Sequence, residues 1–347
     1  MESAKPSGCL LRGARLFFWG IAALVLLLLA GCTYQRIALA RTREQFPAPG
    51  RVLEVEGHLM HIHCMGSGSP TVVIDAGNGS FSVEWMPIQQ EVSQFTRVCT
   101  YDRLGYGWSE AGPQPRDGMQ VVSELHDLLQ AAAEAGPYLL VGHSLGGVHV
   151  RMFAMKYPEE VAGLVLVDTA HPLDISPEFE KQIQTSIGFY QAMNLLTRSG
   201  LLRVLGPLGG EDSLPATARK LPPELQEVYL NLLLDPNQYA TASSEMQQLS
   251  QTFQQASQTM VGAQPFGDLP LIVLTAGQIP APGSTPFNEQ YVPVPNEQIE
   301  LQWELARLSP QGEQRVIPES GHSVHLDAPQ AVIDAILGIV ESLRQSL

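Results

Sequence analysis

Tyr138-Leu-Leu-Val-Gly-His-Ser-Leu-Gly-Gly147 is an apolar run that ends abruptly at a serine flanked by glycines. Residues 138–141 suit a buried strand, and Gly142-x-Ser144-x-Gly146 fits the sharp strand-to-helix turn that pushes a serine oxygen into the open. A side chain at Gly142 or Gly146 would collide with neighbouring backbone, because such a turn holds its central residue in a strained conformation. The helix that starts at Leu145 then aims free N–H groups at the reacting atom, where they favour developing negative charge. A glycine-rich turn without chemistry is the bland alternative, and the rest of the chain decides between the two.

Working outward, a Pro/Gly linker at 47–50 leads into two runs, 51–55 and 58–64, that read as a β-hairpin. Further short apolar runs lie at 71–74, 96–101, 138–141, 163–168, 269–275 and 313–317, and helical patterns sit between them at 85–91, 120–135, 145–157 and 329–343. Strands alternating with helices predict an α/β fold, a mostly parallel eight-stranded sheet with helices on both faces. The interval 171–263 breaks the alternation with helical stretches such as 178–196 and 223–234. It reads as an all-helical lid inserted after the sixth strand, over the strand ends where open α/β sheets place ligands. A Gln-rich stretch at 247–258 reads as a solvated helix.

The 347 residues are 44 % hydrophobic and 16 % charged, a composition that describes a folded core rather than a disordered chain. Residues 16–35 carry no charge and as a helix span about 30 Å, the thickness of a bilayer core. The domain plan is therefore a leader at 1–43 with an anchor at 16–35, a core at 44–170, a lid at 171–263 and the second part of the core at 264–347. Leu29-Ala30-Gly31-Cys32 also fits a lipoprotein cleavage box with a lipid on Cys32, and a cleaved signal peptide is the third alternative. Basic residues flank the segment evenly, Lys5, Arg12 and Arg15 before it and Arg36, Arg41 and Arg43 after it. Signal-anchor logic then favours a single-pass cell-membrane protein with its large domain outside the cytoplasm. Beyond residue 43 the chain holds 14 basic and 34 acidic residues, a net charge of −20, which argues against nucleic acid as a partner and points to small neutral or apolar ones.

Four segments together resemble the α/β-hydrolase fold family over residues 50–347. They are Val72-Val-Ile-Asp-Ala-Gly77-Asn78, Tyr101-Asp-Arg-Leu-Gly-Tyr-Gly-Trp-Ser109, the turn Gly142–Gly146, and Ser320-Gly-His-Ser-Val-His-Leu-Asp-Ala-Pro329. The resemblance implies a serine nucleophile at Ser144, a base at His322 with His325 as competitor, and an acid that keeps the chain order Ser, acid, His. Many relatives carry that acid after the strand corresponding to 269–275, but Ala276-Gly-Gln-Ile-Pro-Ala-Pro-Gly283 holds no carboxylate. Asp168, one strand earlier, is the alternative, against a plain turn-capping role; Asp102 and Asp327 read as structural. By position, the backbone N–H groups of Leu145 and Asn78 form the oxyanion hole. His143 reads as a pocket wall, and Trp85 as a pocket or a core residue. The same fold implies that the strands of Cys64 and Cys99 lie side by side and antiparallel, which makes a disulfide between them a hypothesis to test. His58, His61 and His63 lack a third-ligand pattern, so neither a metal nor another cofactor is expected.

The implied function is a membrane-anchored serine hydrolase, carboxylesterase or lipase-like, acting on a small ester-like substrate through an acyl-enzyme. Serine at the turn excludes the aspartyl-ester chemistry by which dehalogenases and epoxide hydrolases of this fold work. C–C bond hydrolysis, cofactor-free peroxidation and a non-catalytic binding role remain as alternatives, since a fold does not choose among chemistries.

Overall fold

A computed structural model describes residues 8–172, 177–210, 214–259, 262, 264–281 and 291–345 of the chain. Eight strands form one sheet in the order β1, β2, β4, β3, β5, β6, β7, β10. They are β1 (Arg51–Val55), β2 (His58–Met65), β3 (Thr71–Asp75), β4 (Val98–Tyr101), β5 (Tyr138–His143), β6 (Val161–Val167), β7 (Leu271–Ala276) and β10 (Gly312–Ile317). The first hairpin and the β2–β4 pair are antiparallel, and every other pairing in this sheet is parallel. Cys64 and Cys99 lie opposite each other in the β2–β4 register and are joined by a disulfide. A second, small sheet pairs β8 (Gln278–Pro280) with β9 (Tyr291–Pro293). Sequence reading missed it, three-residue strands being too short for any periodicity to register.

The central strands are fully buried because helices cover both faces, and side chains sort by the two-residue period of a strand. Leu139 and Val141 of β5 pack with α2 (Met86–Val92) and α13 (Pro329–Gln345), whereas Leu140 faces α3 (Gly118–Ala131) and α4 (Leu145–Lys156). The amphipathic α13 supplies Val332, Ile336 and Val340, spaced at i, i+4, i+8, to the first of these cores. A further helix, α11 (Asn296–Ala306), contributes Leu305 and Ala306 to the other.

Between β6 and β7 the described residues form helices only: α5 (Pro177–Arg198), α6 (Leu201–Leu205), α7 (Ala216–Lys220), α8 (Pro223–Leu233), α9 (Pro236–Gln247) and α10 (Leu249–Thr259). Residues 173–176, 211–213, 260, 261 and 263 of the expected lid interval lie outside the described residues. The Gln-rich α10 is not merely solvated. It buries Leu249 and Ala256 in the core shared with α3 and α4, because those residues recur at helical spacing between glutamines. α5–α9 are the helices left above the strand ends.

The N-terminal apolar segment belongs to one continuous helix, α1 (Gly8–Gln45), of 38 residues. It therefore runs past both ends of the 16–35 span and through the boundary expected at residue 43. From Leu16 to Leu29 its large apolar side chains are exposed, while Gln35 and Thr42 are buried against the helices that follow β6. α12 (Val324–Asp327) is a single turn between β10 and α13.

Candidate active site

Ser144 sits between β5 and α4 with φ 52° and ψ −119°, a conformation that costs a non-glycine residue on the order of 1–3 kcal/mol. The surroundings leave it no other. Its N–H donates to Val167 O (3.1 Å), and its carbonyl accepts from Gly147 N (3.1 Å), Ala170 N (3.2 Å) and Thr169 Oγ1 (2.9 Å). A Cβ on Gly142 would lie 2.6 Å from Gly146 O, and one on Gly146 would strike the carbonyl of Asp75. Only glycine permits α4 to start this close to β3 and β5.

Asp168 follows β6 directly, also at positive φ (41°). Its N–H donates to Leu274 O (2.7 Å), Oδ1 accepts from Ala276 N (2.9 Å), and Oδ2 lies 2.6 Å from His322 Nδ1. The carboxylate is thus fixed by the end of β7, the strand after which relatives were expected to place their own acid. His322 lies on the loop after β10. Asp327 Oδ2 accepts from the neighbouring Gly321 N (3.0 Å), Asp327 Oδ1 pairs with Lys220 of α7 (2.7 Å), and His143 Nε2 donates to the His322 carbonyl (2.9 Å). Asp327 therefore holds the histidine loop to the α7 segment.

Partial loss of hydration pulls the half-exposed His322 imidazole toward lower pKa, but the hydrogen bond and charge of Asp168 outweigh it and hold the group above its ordinary 6.5. A general base must be neutral, so protonation on lowering the pH removes it. The acidic limb of a kcat/KM profile is accordingly expected above pH 6.5. A limb centred at or below 6.5 would contradict base function of a His322 paired with Asp168.

The segment after β3 is held from beneath by Arg103. Its Nη1 donates to Asp75 Oδ1 (2.7 Å) and Ala76 O (2.6 Å), its Nη2 to Gly77 O (2.8 Å), and its Nε to Glu245 Oε1 of α9 (2.9 Å). Within one trans peptide the C=O and N–H point in opposite directions, so drawing Gly77 O toward Arg103 turns Asn78 N–H away from it. The Asn78 side chain is tied as well, Nδ2 donating to Ala242 O (3.1 Å) and Glu245 Oε2 (2.9 Å). Burial alone would raise the Asp75 and Glu245 carboxyls. Arg103 between them outweighs that and holds both below the usual carboxylate range. Sequence reading gave Arg103 no role, although its place beside Asp102 in the Tyr101–Ser109 motif was the available signal.

A cavity of about 900 Å³ opens above these groups. Ser144, His322, Asn78, Gly77 and His143 line its base, and Tyr190, Met193, Leu202, Leu214, Tyr229 and Leu234 its walls. Glu84 also reaches it, and burial pushes that carboxyl up to about 7. Sequence reading passed over Glu84 because a single acid in an apolar run carries no pattern.

The other residues marked in the sequence lie outside this group. Trp85 does not line the cavity. It is fully buried and stacked on His325 at 4.5 Å, because the register of the turn leading into α2 points it at the core. His325 faces Glu84 (Nε2 to Oε2, 3.2 Å) instead of Asp168, and burial lowers its pKa to about 3. Asp102 accepts from Ser82 N (2.8 Å) and Trp108 N (3.0 Å) and pairs with His61 Nδ1 (2.8 Å), so it organises its own loop. The second ring nitrogen of His61 meets Pro49 O at 2.6 Å, which leaves that ring no lone pair to offer a metal.

Known proteins share this architecture. Residues 62–335 match the sequence profile described as "Alpha/beta hydrolase family". The chain is 29% identical over 161 residues to the uncharacterized protein YbdG of Bacillus subtilis (strain 168), an alignment covering 46% of this chain and 50% of that one. It spans about half the length, or less, of the curated relatives it matches. Among solved structures it is similar to a thermophilic esterase from Thermogutta terrifontis (TM-score 0.57, 22% identity, 84% of this chain and 97% of that one). It is also similar to the Cif epoxide hydrolase from Acinetobacter nosocomialis (TM-score 0.66, 15% identity, 89% and 96%). At these identities the structural likeness concerns the fold.

Proposed function

The chain belongs to the α/β-hydrolase family, and on that premise we propose that it is a membrane-anchored serine hydrolase that cleaves carboxylic esters through an acyl-enzyme. One observation carries the reading: His322, bonded through Nδ1 to Asp168 at 2.6 Å, lines the same cavity as the strained Ser144. Ser144 Oγ attacks the ester carbonyl carbon while His322 Nε2 takes its proton, and Asp168 holds the tautomer and stabilises the imidazolium. The negative charge that develops on the carbonyl oxygen lies between the N–H groups of Leu145 and Asn78. Collapse breaks the bond to the alcohol, which leaves with the proton from His322. Water then enters by the same route in reverse, its proton going to His322, and frees the acid and Ser144.

Serine at position 144 separates this reading from the epoxide-hydrolase likeness, since an acyl-enzyme on serine serves esters and not epoxides. The anchor is supported by α1, where the span Arg15–Gln45 is long and apolar enough to cross a bilayer and none of its most apolar stretch is buried among the described residues. The Cys64–Cys99 disulfide supports an oxidising compartment for the body, hence the extracytoplasmic side. The division into leader, core and lid follows the same logic, with α5–α9 over the cavity.

A fluorophosphonate probe tests the nucleophile. Labelling of the full chain that disappears in Ser144→Ala is the expected result. Labelling that persists in Ser144→Ala, or none in the unsubstituted chain, would overturn the assignment.

A further inference from the structure

α1 does not merely precede the folded body; it is locked to the helices over the cavity. Gly31 meets the turn between α5 and α6 so closely that a Cβ there would strike the carbonyl of Ser199, and a Cβ on Gly200 would lie 2.8 Å from Gly31 O. Gln35 Nε2 donates to Leu234 O (2.6 Å), Arg203 Nε to Gln35 Oε1 (3.1 Å), and Arg43 pairs with Asp235 (3.4 Å). Gly31 stands two residues beyond Leu29, the last leucine of the apolar run, which is about 3 Å of helix. With the uncharged span ending at Gln35, four residues and about 6 Å of helix further on, the α5–α6 turn is held just inside the edge of the hydrocarbon of a bilayer.

The segment beyond that turn is apolar and open. Leu201, Val204, Leu205 and Leu208 recur at helical spacing on one face of α6 and the turn after it, and Leu208 is 79% exposed. Arg36, which ends the uncharged span, and Arg198, next to Ser199 in the chain, are both exposed and suit phosphate headgroups. The other face of the same segment, Leu202, Arg203 and Gly206, lines the cavity. One short element thus separates the place where lipid would be from the place where Ser144 is. With a net charge of −20 beyond residue 43, the body has no electrostatic attraction to a membrane, so an apolar seat is the available means of contact.

We infer that the 201–208 face seats in the outer acyl layer of the bilayer beside α1, and that the cavity takes its substrate from the membrane, an uncharged long-chain acyl ester. The cavity of about 900 Å³ lies at the large end of the roughly 300–1,000 Å³ that small-molecule sites occupy, and its walls are mostly apolar. This inference rests on the anchored-hydrolase reading above.

The test uses the full chain reconstituted in phosphatidylcholine vesicles, with Cys9→Ser and Cys32→Ser to leave no other free thiol. An environment-sensitive fluorophore is attached through Leu208→Cys or, separately, through Leu24→Cys, and read for quenching by lipids brominated in the upper acyl chain. Quenching at both positions is expected. Quenching at position 24 alone overturns the seat and leaves the anchor standing; quenching at neither removes the anchor and the inference with it. The second measurement compares vesicle-embedded mono-oleoylglycerol with p-nitrophenyl acetate in water. Leu205→Glu/Leu208→Glu is expected to slow the first by ~10-fold or more while leaving the second within about twofold. Equal losses on both substrates, or a loss on neither, would overturn it.

Discussion

Asp168→Asn is expected to lower kcat by a factor on the order of 10⁴ while leaving the fold intact. The magnitude follows from which way the new amide must turn. Asp168 Oδ1 accepts a hydrogen bond from Ala276 N, and an asparagine keeps that bond only by placing its oxygen there. Its NH₂ then faces His322 Nδ1, where the carboxylate oxygen stood at 2.6 Å. An NH₂ donates and does not accept, so His322 is forced into the tautomer that carries its hydrogen on Nε2. That nitrogen can no longer take the proton of Ser144. Single-turnover and steady-state kinetics on a soluble ester measure the effect. A fall of less than tenfold would move the acid to another carboxylate, despite the short bond.

Arg103→Met is expected to destabilise the protein by about 3–5 kcal/mol, because it leaves the Asp75 and Glu245 carboxylates buried without their shared cation. Asp75 would keep His149, 3.1 Å away, and the nearby Tyr101 hydroxyl, and Glu245 would keep the Tyr106 hydroxyl and the Asn78 amide, none of them a fixed cation. The same substitution frees the Ala76 and Gly77 carbonyls, so the N–H of Asn78 loses its aim. For the fraction that stays folded, kcat is expected to fall by up to ~10² with little change in KM, the signature of a contact made in the transition state. Arg103→Lys restores charge but not the planar fork that reaches two carboxylates and two carbonyls, so it should recover stability only in part. Denaturant unfolding of the detergent-solubilised chain gives the first quantity. A loss below about 1 kcal/mol would show that the network is not a dry, mutually dependent unit.

The four helices expected around the core and the eight strands of the main sheet lie within a few residues of where periodicity placed them. Their patterns are local: Leu139, Leu140 and Val141 alternate between two cores, and α13 repeats its valines and isoleucines each turn. Elements without such a pattern were lost. The β8–β9 pair is too short, and α11 shows a weak apolar face, burying only Gln302, Leu305 and Ala306. The Gln-rich α10 was seen as a helix but misjudged in its surroundings, since glutamine content says nothing about what covers Leu249 and Ala256. The end of the apolar segment was placed by composition, whereas α1 ends only where Pro47 and Pro49 forbid its continuation.

The chain by itself determined the strand-turn-helix at Ser144, the α/β alternation and the presence of an apolar N-terminal helix, because each follows from steric and hydrophobic demands between residues a few positions apart. Tertiary structure alone decided that the end of β7 pins Asp168 where His322 meets it, and that Arg103 grips the carbonyls beside Asn78. It alone decided that Gly31 meets Ser199 and fixes the helices over the cavity to α1. Those contacts join groups separated by 26 to 168 residues, so no local period encodes them. They arise only once the sheet has brought its strand ends together and buried polar groups have had to find partners.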